Sequence, residues 1–505
     1  MVAINRRFLL QSQLTLLISY MKLRRRRMQT PNRKHRFWVR DIFKKRVEHG
    51  QSLRSGTVPT DWKLAHVTPI HKSGPKHDVN NYRPISLTCI CSKIMERILA
   101  SNISKHFEQH STLSDCQHGF RQKRSCETQL IGFFDDLARN MQNGGQIDII
   151  IMDFSKAFDK VPHKRLLYKL ADLGIDRCTV RWIENFLTNR NQCVVVGGER
   201  SPYVPVTSGV PQGSVLGPLL FLCYINDLPS HVQSKVRLFA DDTVIYITVK
   251  SENDSRQLQC DLSRLECWER DWQMSFNPSK CKVIKVTRKR KPSDFQYILH
   301  GQTLESIDHT KYLGVHISRD LRWNTHADRV TSKANRTLGF VRRNLQTSSI
   351  KIKDTAYKTL IRPTLEYCSS VWDPITAKNT YQVEMVQRRA ARWVLRRYNR
   401  EDSVTDMLRV LNWETLEKRR LVGRLCHLYK QANGLVCGGN EQLKPLTHRY
   451  STRYSEHSFE IPYSSCDYYK YSFYPRTIKD WNNLPPHVTD SPSVRSFKDS
   501  VRSLV

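Results

Sequence analysis

Two adjacent carboxylates, Asp241 and Asp242, stand between apolar runs in VRLFADDTVIYITV, residues Val236–Val249. At ~4–6 Å such charges repel by about 1–4 kcal/mol in a near-surface dielectric. A divalent cation reverses that sign, and Mg²⁺ takes one or two carboxylates together with substrate phosphates. Taken alone, the pair suits an ordinary turn equally well, because Asp favours turns. A third carboxylate, Asp153, ends the apolar run Ile147–Met152, and buried strands seldom end in an acid without a reason. Lys72 and Arg83 flank a Ser73-Gly74-Pro75 turn. A hairpin there would join a point charge to a planar multi-donor cation, a combination suited to a triphosphate, although surface placement accounts for both residues too. In SGVPQGSVLGPLLF, Gly209, Pro211, Gly213, Gly217 and Pro218 set a tight loop ahead of a helix beginning near Ser214. Glycine lets backbone approach a ligand closely, a helix start favours phosphate, and Gln212 can hydrogen-bond a sugar or base edge.

Positioning these groups requires strands at the acids and helices around them. The Val, Leu and Phe before Asp241-Asp242 and the Val, Ile and Tyr after them predict a hairpin with the acids near its tip. Ile147–Met152 predicts a buried central strand, and neighbouring strands would bring Asp153 to the same edge. Helical spacing predicts helices over Ser92–Phe107 and Cys126–Met141, the latter with Leu130, Phe133, Phe134 and Leu137 on one face. Further helices are expected over His163–Leu173, over Arg177–Thr188 with Asp176 as N-cap, and over Ser255–Met274. Gln192–Val196 and Tyr203–Val206 predict a small hairpin. Lys280 is expected at the edge of the strand in SFNPSKCKVIKV, with another strand pair around Gly314. From Leu321 to about Trp413 the pattern is helical and basic, which suits backbone contact along a duplex. Arg121, Lys123 and Arg124 are candidates for lining a template path. His163 and Asp159 are expected to be structural, with Asp159 also placed to orient neighbours.

The totals restrict the partner class. The chain has 505 residues, 39% of them hydrophobic, and a formal net charge of +35. It is long enough for two or more domains, and the charge points to a polyanion, most simply nucleic acid. Fourteen Cys contain no CxxC pair, so no zinc knuckle can be written and reduced thiols are expected. Phe8–Tyr20 is too short and too polar to span a membrane and lacks a signal-peptide cleavage site. Lys22–Arg46 carries 12 Lys/Arg against one Asp. Such a run is solvated, binds nucleic acid or serves as a nuclear import signal. Three convergent carboxylates, a Gly-rich loop, two phosphate-binding cations and a basic envelope fit two-metal nucleotidyl transfer.

Seven stretches in order carry a family resemblance: NYRPISL (Asn81–Leu87), QHGFR (Gln117–Arg121), MDFSKAFDKVPH (Met152–His163), SGVPQGSVLGPLLF (Ser208–Phe221), FADD (Phe239–Asp242), NPSKCK (Asn277–Lys282) and KYLGV (Lys311–Val315). The chain resembles reverse transcriptases of non-LTR (LINE-type) retrotransposons, of the jockey-like branch, and TLIRPTLEYCSSVW and FYPRTIKDWNNLP extend the likeness towards the C-terminus. The resemblance implies an α+β right-hand polymerase with fingers, a palm containing an antiparallel sheet, and a helical thumb. It implies fingers and palm over 58–317, a thumb over 318–415, a C-terminal region over 416–505 of unknown role, and a poorly ordered basic leader over 1–57. It implies an RNA-directed DNA polymerase that extends a primer 3′-hydroxyl with dNTPs on an RNA template. Asp153, Asp241 and Asp242 would be the catalytic, metal-binding acids for two Mg²⁺ ions, with Mn²⁺ as a substitute. Lys72 and Arg83 would contact the triphosphate, Phe158 would exclude a ribose 2′-hydroxyl, Gln212 and Gly213 would position nucleotide and template base, and Lys280 would protonate pyrophosphate. Tyr312–Gly314 would belong to a primer grip. The family usually has Lys-Thr where this chain has Lys280-Cys281. The implied partners are an RNA template, a DNA primer or target and dNTPs, with no membrane, and an intracellular, nuclear and cytoplasmic location. Full-length elements carry an endonuclease upstream; residues 1–57 resemble none, so DNA nicking is not expected of this chain. The alternative is a nucleic-acid-binding, catalytically inactive retroelement remnant.

Overall fold

The computed structural model describes residues 50–439, 441–446 and 457–504. Phe8–Tyr20 and Lys22–Arg46, with the import-signal expectation, lie outside the described residues. Residues 50–55 are already helical, ahead of the expected start at Val58. In chain order the principal strands are β1 (Leu64–His71), β2 (Tyr82–Leu87), β3 (Gln146–Met152), β4 (Arg190–Val196), β5 (Val204–Val206), β6 (Lys235–Phe239), β7 (Asp242–Val249), β8 (Lys282–Val286), β9 (Glu305–Ser306), β10 (His309–Tyr312) and β11 (Val315–Ser318). The principal helices are α1 (Ile90–Gln109), α2 (Cys126–Gln142), α3 (His163–Asp172), α4 (Arg177–Leu187), α5 (Leu216–Ile225), α6 (Glu252–Trp272), α7 (Asn324–Asn344), α8 (Ala377–Leu395), α9 (Leu416–Ala432), α10 (Phe473–Asn482) and α11 (Val494–Leu504). The fold is α+β. Its residues gather into two compact units that interleave along the sequence. The first runs to Arg121 and adds Asp153–Gln233 and Asp261–Asn277; the second is Gln122–Met152, Ser234–Cys260 and Pro278 onward.

The first unit is built on the sheet β2-β1-β4, with β5 on β4. β1 runs antiparallel to β2 and parallel to β4. The four-residue spacing of Met95, Leu99, Ile103 and Phe107 puts all four on one stripe of α1, and all are buried. α4 is amphipathic and begins where the Asp176 carboxylate accepts the Cys178 and Thr179 N–H groups, both at 3.1 Å. That is the N-cap its sequence predicts. Its Trp182 stacks on Phe186 at 5.5 Å in the core. α5, LGPLLFLCYI, is apolar all round and correspondingly buried along nearly its whole length.

The second unit contains the sheet β9-β8-β3-β7-β6. β3 is its central strand, antiparallel to β7 and β8, as its apolar run requires. One acid interrupts that run. Asp148 is fully buried, accepts hydrogen bonds from Gln146 Nε2 (2.8 Å) and Tyr297 Oη (2.7 Å), and burial raises its pKa. α2 presents the predicted face to the sheet, and Phe133 meets Tyr246 and Tyr312 edge-on at 5.3 and 5.4 Å. One hydrophobic core continues from there through α7 and α8 into α9, α10 and α11. Among the described residues no helix is long and apolar enough to cross a membrane. All fourteen cysteines are free thiols.

Candidate functional site

Asp241 and Asp242 sit on the predicted hairpin. β6 and β7 pair as far as Phe239↔Asp242, leaving Ala240-Asp241 as a two-residue turn. Ala240 adopts φ +53°, a left-handed conformation that costs a residue with a Cβ about 1–2 kcal/mol and that fixes how the acids leave the strand. Both aspartates are exposed while Leu238, Thr243 and Val244 are buried. The hairpin is anchored behind its tip. Arg237 donates to Asp136 Oδ2 (2.6 Å) and Tyr246 Oη (3.0 Å), and Lys235 donates to Asp136 Oδ1 (3.0 Å). Burial alone would raise the Asp136 carboxyl, but Arg237, Tyr246 and Lys235 hold it below the usual range.

In β3–β7 the register places Met152 opposite Thr243. Asp242 opens β7 directly ahead of Thr243, and Asp153 follows the last residue of β3 in sequence. Within the first unit the Asp153 carbonyl accepts the Asn277 N–H at 2.8 Å, and Phe154 bridges to Phe276. Among the described residues no three His, Cys, Asp or Glu groups are gathered to hold a metal by themselves. The adjacent carboxylates of Asp241 and Asp242 suit Mg²⁺, a hard cation that uses few protein ligands and completes its octahedron with waters and phosphate oxygens. Lys280 is exposed in the turn ahead of β8, followed by fully buried Cys281. Gly314, at φ +88°, turns β10 into β11, and a Cβ there would stand 2.7 Å from the Tyr367 ring.

The other candidates gather in the first unit. β1 and β2 pair with Ile70↔Arg83, and Lys72 N donates to Asn81 O at 2.8 Å, continuing the ladder. Lys72 and Arg83 are therefore diagonal neighbours on one face, roughly 7–8 Å apart at the backbone, and both are exposed. Phe158 is half-buried and stacks on Phe221 at 4.6 Å. The loop carrying Gln212 and Gly213 lies along the chain around Phe158: Val210 N donates to Phe158 O (2.8 Å), Gly209 N to Val161 O (2.8 Å) and Ser208 Oγ to Asp159 O (2.9 Å). Gly213 has φ +109°, and a Cβ there would stand 2.5 Å from Ser86 O. At this point Ser86 N donates to Gln212 O at 2.7 Å. The sequence thus needs glycine here both for conformation and for closeness. His163 is structural, as expected: Nε2 hydrogen-bonds Gly209 O at 2.8 Å, and burial lowers its pKa, favouring the neutral ring.

Two functional assignments differ from the sequence reading. Arg121, a candidate for a template path, is almost buried and donates to Leu113 O (3.2 Å), Ser114 O (2.8 Å) and Glu108 (3.4 Å). Lys123 donates to Gly434 O at 2.9 Å. Both tie loops together. Conversely, nothing local in KIMERIL marks Glu96 as functional. It is fully buried, and Oε2 accepts the Val215 (2.6 Å) and Leu216 (3.2 Å) N–H groups while Oε1 accepts Ser92 Oγ (2.9 Å). It caps α5 and fixes the end of the Gln212-Gly213 loop. The only signal was an acid at a core-facing position of a helix whose partner lies more than a hundred residues away.

Comparison with known proteins gives a consistent family. Residues 70–317 match the family described as reverse transcriptase (RNA-dependent DNA polymerase). The "Probable RNA-directed DNA polymerase from transposon BS" of Drosophila melanogaster is 29% identical over 378 residues, covering 70% of this chain and 40% of that protein. The RNA-directed DNA polymerase from mobile element jockey of the same species is 28% identical over 355 residues, covering 67% of this chain and 38% of that protein. A Pol polyprotein from the type-1 retrotransposable element R2 of Popillia japonica is 27% identical over 248 residues, covering 46% and 34%. The chain thus spans about two-fifths of the length of the first two relatives. Among solved structures, apo telomerase from Candida tropicalis aligns with a TM-score of 0.42 at 10% identity, covering 73% of this chain and 62% of that one.

Proposed function

Because residues 70–317 are a reverse transcriptase domain of the non-LTR retrotransposon type, we propose that this chain is an RNA-directed DNA polymerase of right-hand architecture. It extends a primer 3′-hydroxyl with dNTPs on an RNA template. The observation that carries the reading is the Asp241-Asp242 hairpin, with both acids exposed where β6 turns into β7. In this reading Asp153, Asp241 and Asp242 hold two divalent cations, Mg²⁺ or Mn²⁺ in its place. When bound, these supply charge that acidifies the primer hydroxyl and neutralises the triphosphate. Lys72 and Arg83, side by side on one face, grip the triphosphate. Gln212 and Gly213 position the nucleotide against the template base, and exposed Lys280 delivers a proton to pyrophosphate. The partners are RNA template, DNA primer or target and dNTPs, in the nucleus and cytoplasm. The test is extension of a DNA primer annealed to RNA, with dNTPs and Mg²⁺, against the same mixture with EDTA. Metal-dependent extension supports the reading, and its absence in folded, RNA-binding protein rejects it.

Two further outcomes follow from the loop. Phe158 fills its place by stacking on Phe221, and in this reading its ring stands against the sugar 2′ position. Phe158→Val should raise the ribonucleotide-to-deoxyribonucleotide ratio of kcat/KM by about 10-fold or more, measured by single-nucleotide extension. An unchanged ratio would remove Phe158 from that role. Glu96→Ala leaves the buried Leu216 N–H and the part-buried Val215 N–H of the α5 start without their acceptor, at about 1–3 kcal/mol for the buried one. It should lower the urea midpoint and raise the KM for dNTP more than it lowers kcat, with Glu96→Gln intermediate because its amide oxygen still accepts. A kcat loss with unchanged KM would contradict a positioning role.

A further inference from the structure

The second unit holds a cleft of about 370 Å³ that no role above uses. Its walls include the aromatic rings of Phe134, Trp323, Tyr468, Tyr471 and Phe473. Phe134 and Trp323 lie 4.8 Å apart, and the Arg288 guanidinium sits 4.5 Å over the Tyr468 ring. Arg288, Arg322 and Ile375 are among its exposed lining residues, together with Asn324, Asp467 and Tyr471. Two buried polar atoms of the lining have no hydrogen-bond partner: Asp135 Oδ1 and Ser472 Oγ. Asp135 is only 3% exposed, and its other oxygen already accepts from Arg139 and from Gln442 Nε2 (3.1 Å). A buried carboxylate oxygen left open in a cleft is an acceptor awaiting a donor.

The chemistry narrows the occupant. Clefts of this size take small organic groups. Aromatic walls stack any nucleobase, a carboxylate accepts from an exocyclic amine such as cytosine N4, and arginines at the opening suit phosphates. An apolar peptide side chain would leave Asp135 unsatisfied, and an acidic one would be repelled by it. We propose that this cleft receives one unpaired, amine-bearing base of a single-stranded nucleic acid. The base stacks between Trp323 and Tyr468, its amine lies on Asp135, and the flanking phosphates lie on Arg288 and Arg322. The proposal requires binding alone and stands apart from the polymerase reading.

The test uses the full chain without metal, at one fixed salt concentration, with fluorescently labelled 12-mers of rC, rA, rU and dC read by anisotropy. Wild type should bind rC and rA about 10-fold more tightly than rU, and free CMP should displace rC at lower concentration than UMP. Comparing rC with dC tells whether RNA or DNA is the preferred source. Ile375→Trp, at an exposed wall position, should erase the rC-over-rU preference while leaving rU affinity and the melting temperature unchanged. Arg288→Ala should weaken all oligonucleotides together and, when the rC titration is repeated across a salt series, reduce the salt slope by about one. Equal binding of rC and rU by wild type, equal displacement by CMP and UMP, or a preference that survives Ile375→Trp would each overturn the proposal.

Discussion

Asp242→Asn is expected to lower primer extension on RNA by on the order of 10³-fold or more, with RNA binding and folding intact. The substitution keeps size and shape and removes one charge at an exposed hairpin position. The buried part of the hairpin rests on Leu238 and Val244 and on the Arg237–Asp136–Tyr246 network. Removing a single preorganised hydrogen-bond donor from an oxyanion hole costs ~10²–10³-fold. A carboxylate shared between metal ions should cost more. Asp241→Asn should behave similarly, and the pair together should cost far less than the product of the two losses, as groups acting as one unit do. The measurements are steady-state extension on an RNA template and filter binding of that template. Equal extension by wild type and Asp242→Asn would remove these acids from the mechanism. Loss of binding along with extension would mean that they serve the fold.

How legible this site was from sequence depends on the range of the contacts that build it. The hairpin around Asp241-Asp242, the β3 strand, the α2 face and the Asp176 cap were readable because alternation, apolar runs and capping residues act within a few positions. Lys72 and Arg83 were joined by a turn signal, and the β1–β2 register places them on one face. Glu96 could not be seen, because its meaning comes from N–H groups at Val215 and Leu216, and no local pattern marks an acid that caps a distant helix. Arg121 failed in the opposite sense. Its charge suggested a nucleic-acid contact, yet the carbonyls of Leu113 and Ser114 claim its donors. The functional weight of the ordered motifs came from the family resemblance. The residues alone left Lys72, Arg83 and the Gly-rich loop open to blander readings.

The region after residue 415, whose role sequence left blank, is expected to be part of the core that supports this machinery, and Asp373 is where that can be measured. Asp373 is buried, and its carboxylate takes Arg420 Nε at 2.6 Å, Arg424 Nε at 2.9 Å and Arg476 Nη1 at 3.2 Å. Two of these arginines belong to α9 and one to α10, so a single acid in the preceding helical segment holds both later helices. Arg420 and Arg424 are themselves almost fully buried, and both terminal nitrogens of Arg420 lack a partner. Burial, followed by repulsion from Arg424, pushes the Arg476 pKa below the usual arginine value. Positive charge is already in excess here, with Asp480 at 3.0 Å from Arg424 the nearest relief. Removing Asp373 therefore leaves guanidiniums desolvated without their counter-charge, and Asp373→Ala should destabilise by about 3–5 kcal/mol. Replacing Asp373, Arg420 and Arg424 together by Leu, Met and Leu should cost less than Asp373→Ala alone, because an apolar cluster of similar volume removes the two most buried guanidiniums and leaves only Arg476, which keeps its hydrogen bond to the backbone carbonyl of residue 373. Urea midpoints of the three proteins decide the matter. If Asp373→Ala unfolds at the wild-type midpoint, the later helices are an appendage; if the triple variant recovers most of the loss, they are one core with α8, held in place by charge rather than requiring it.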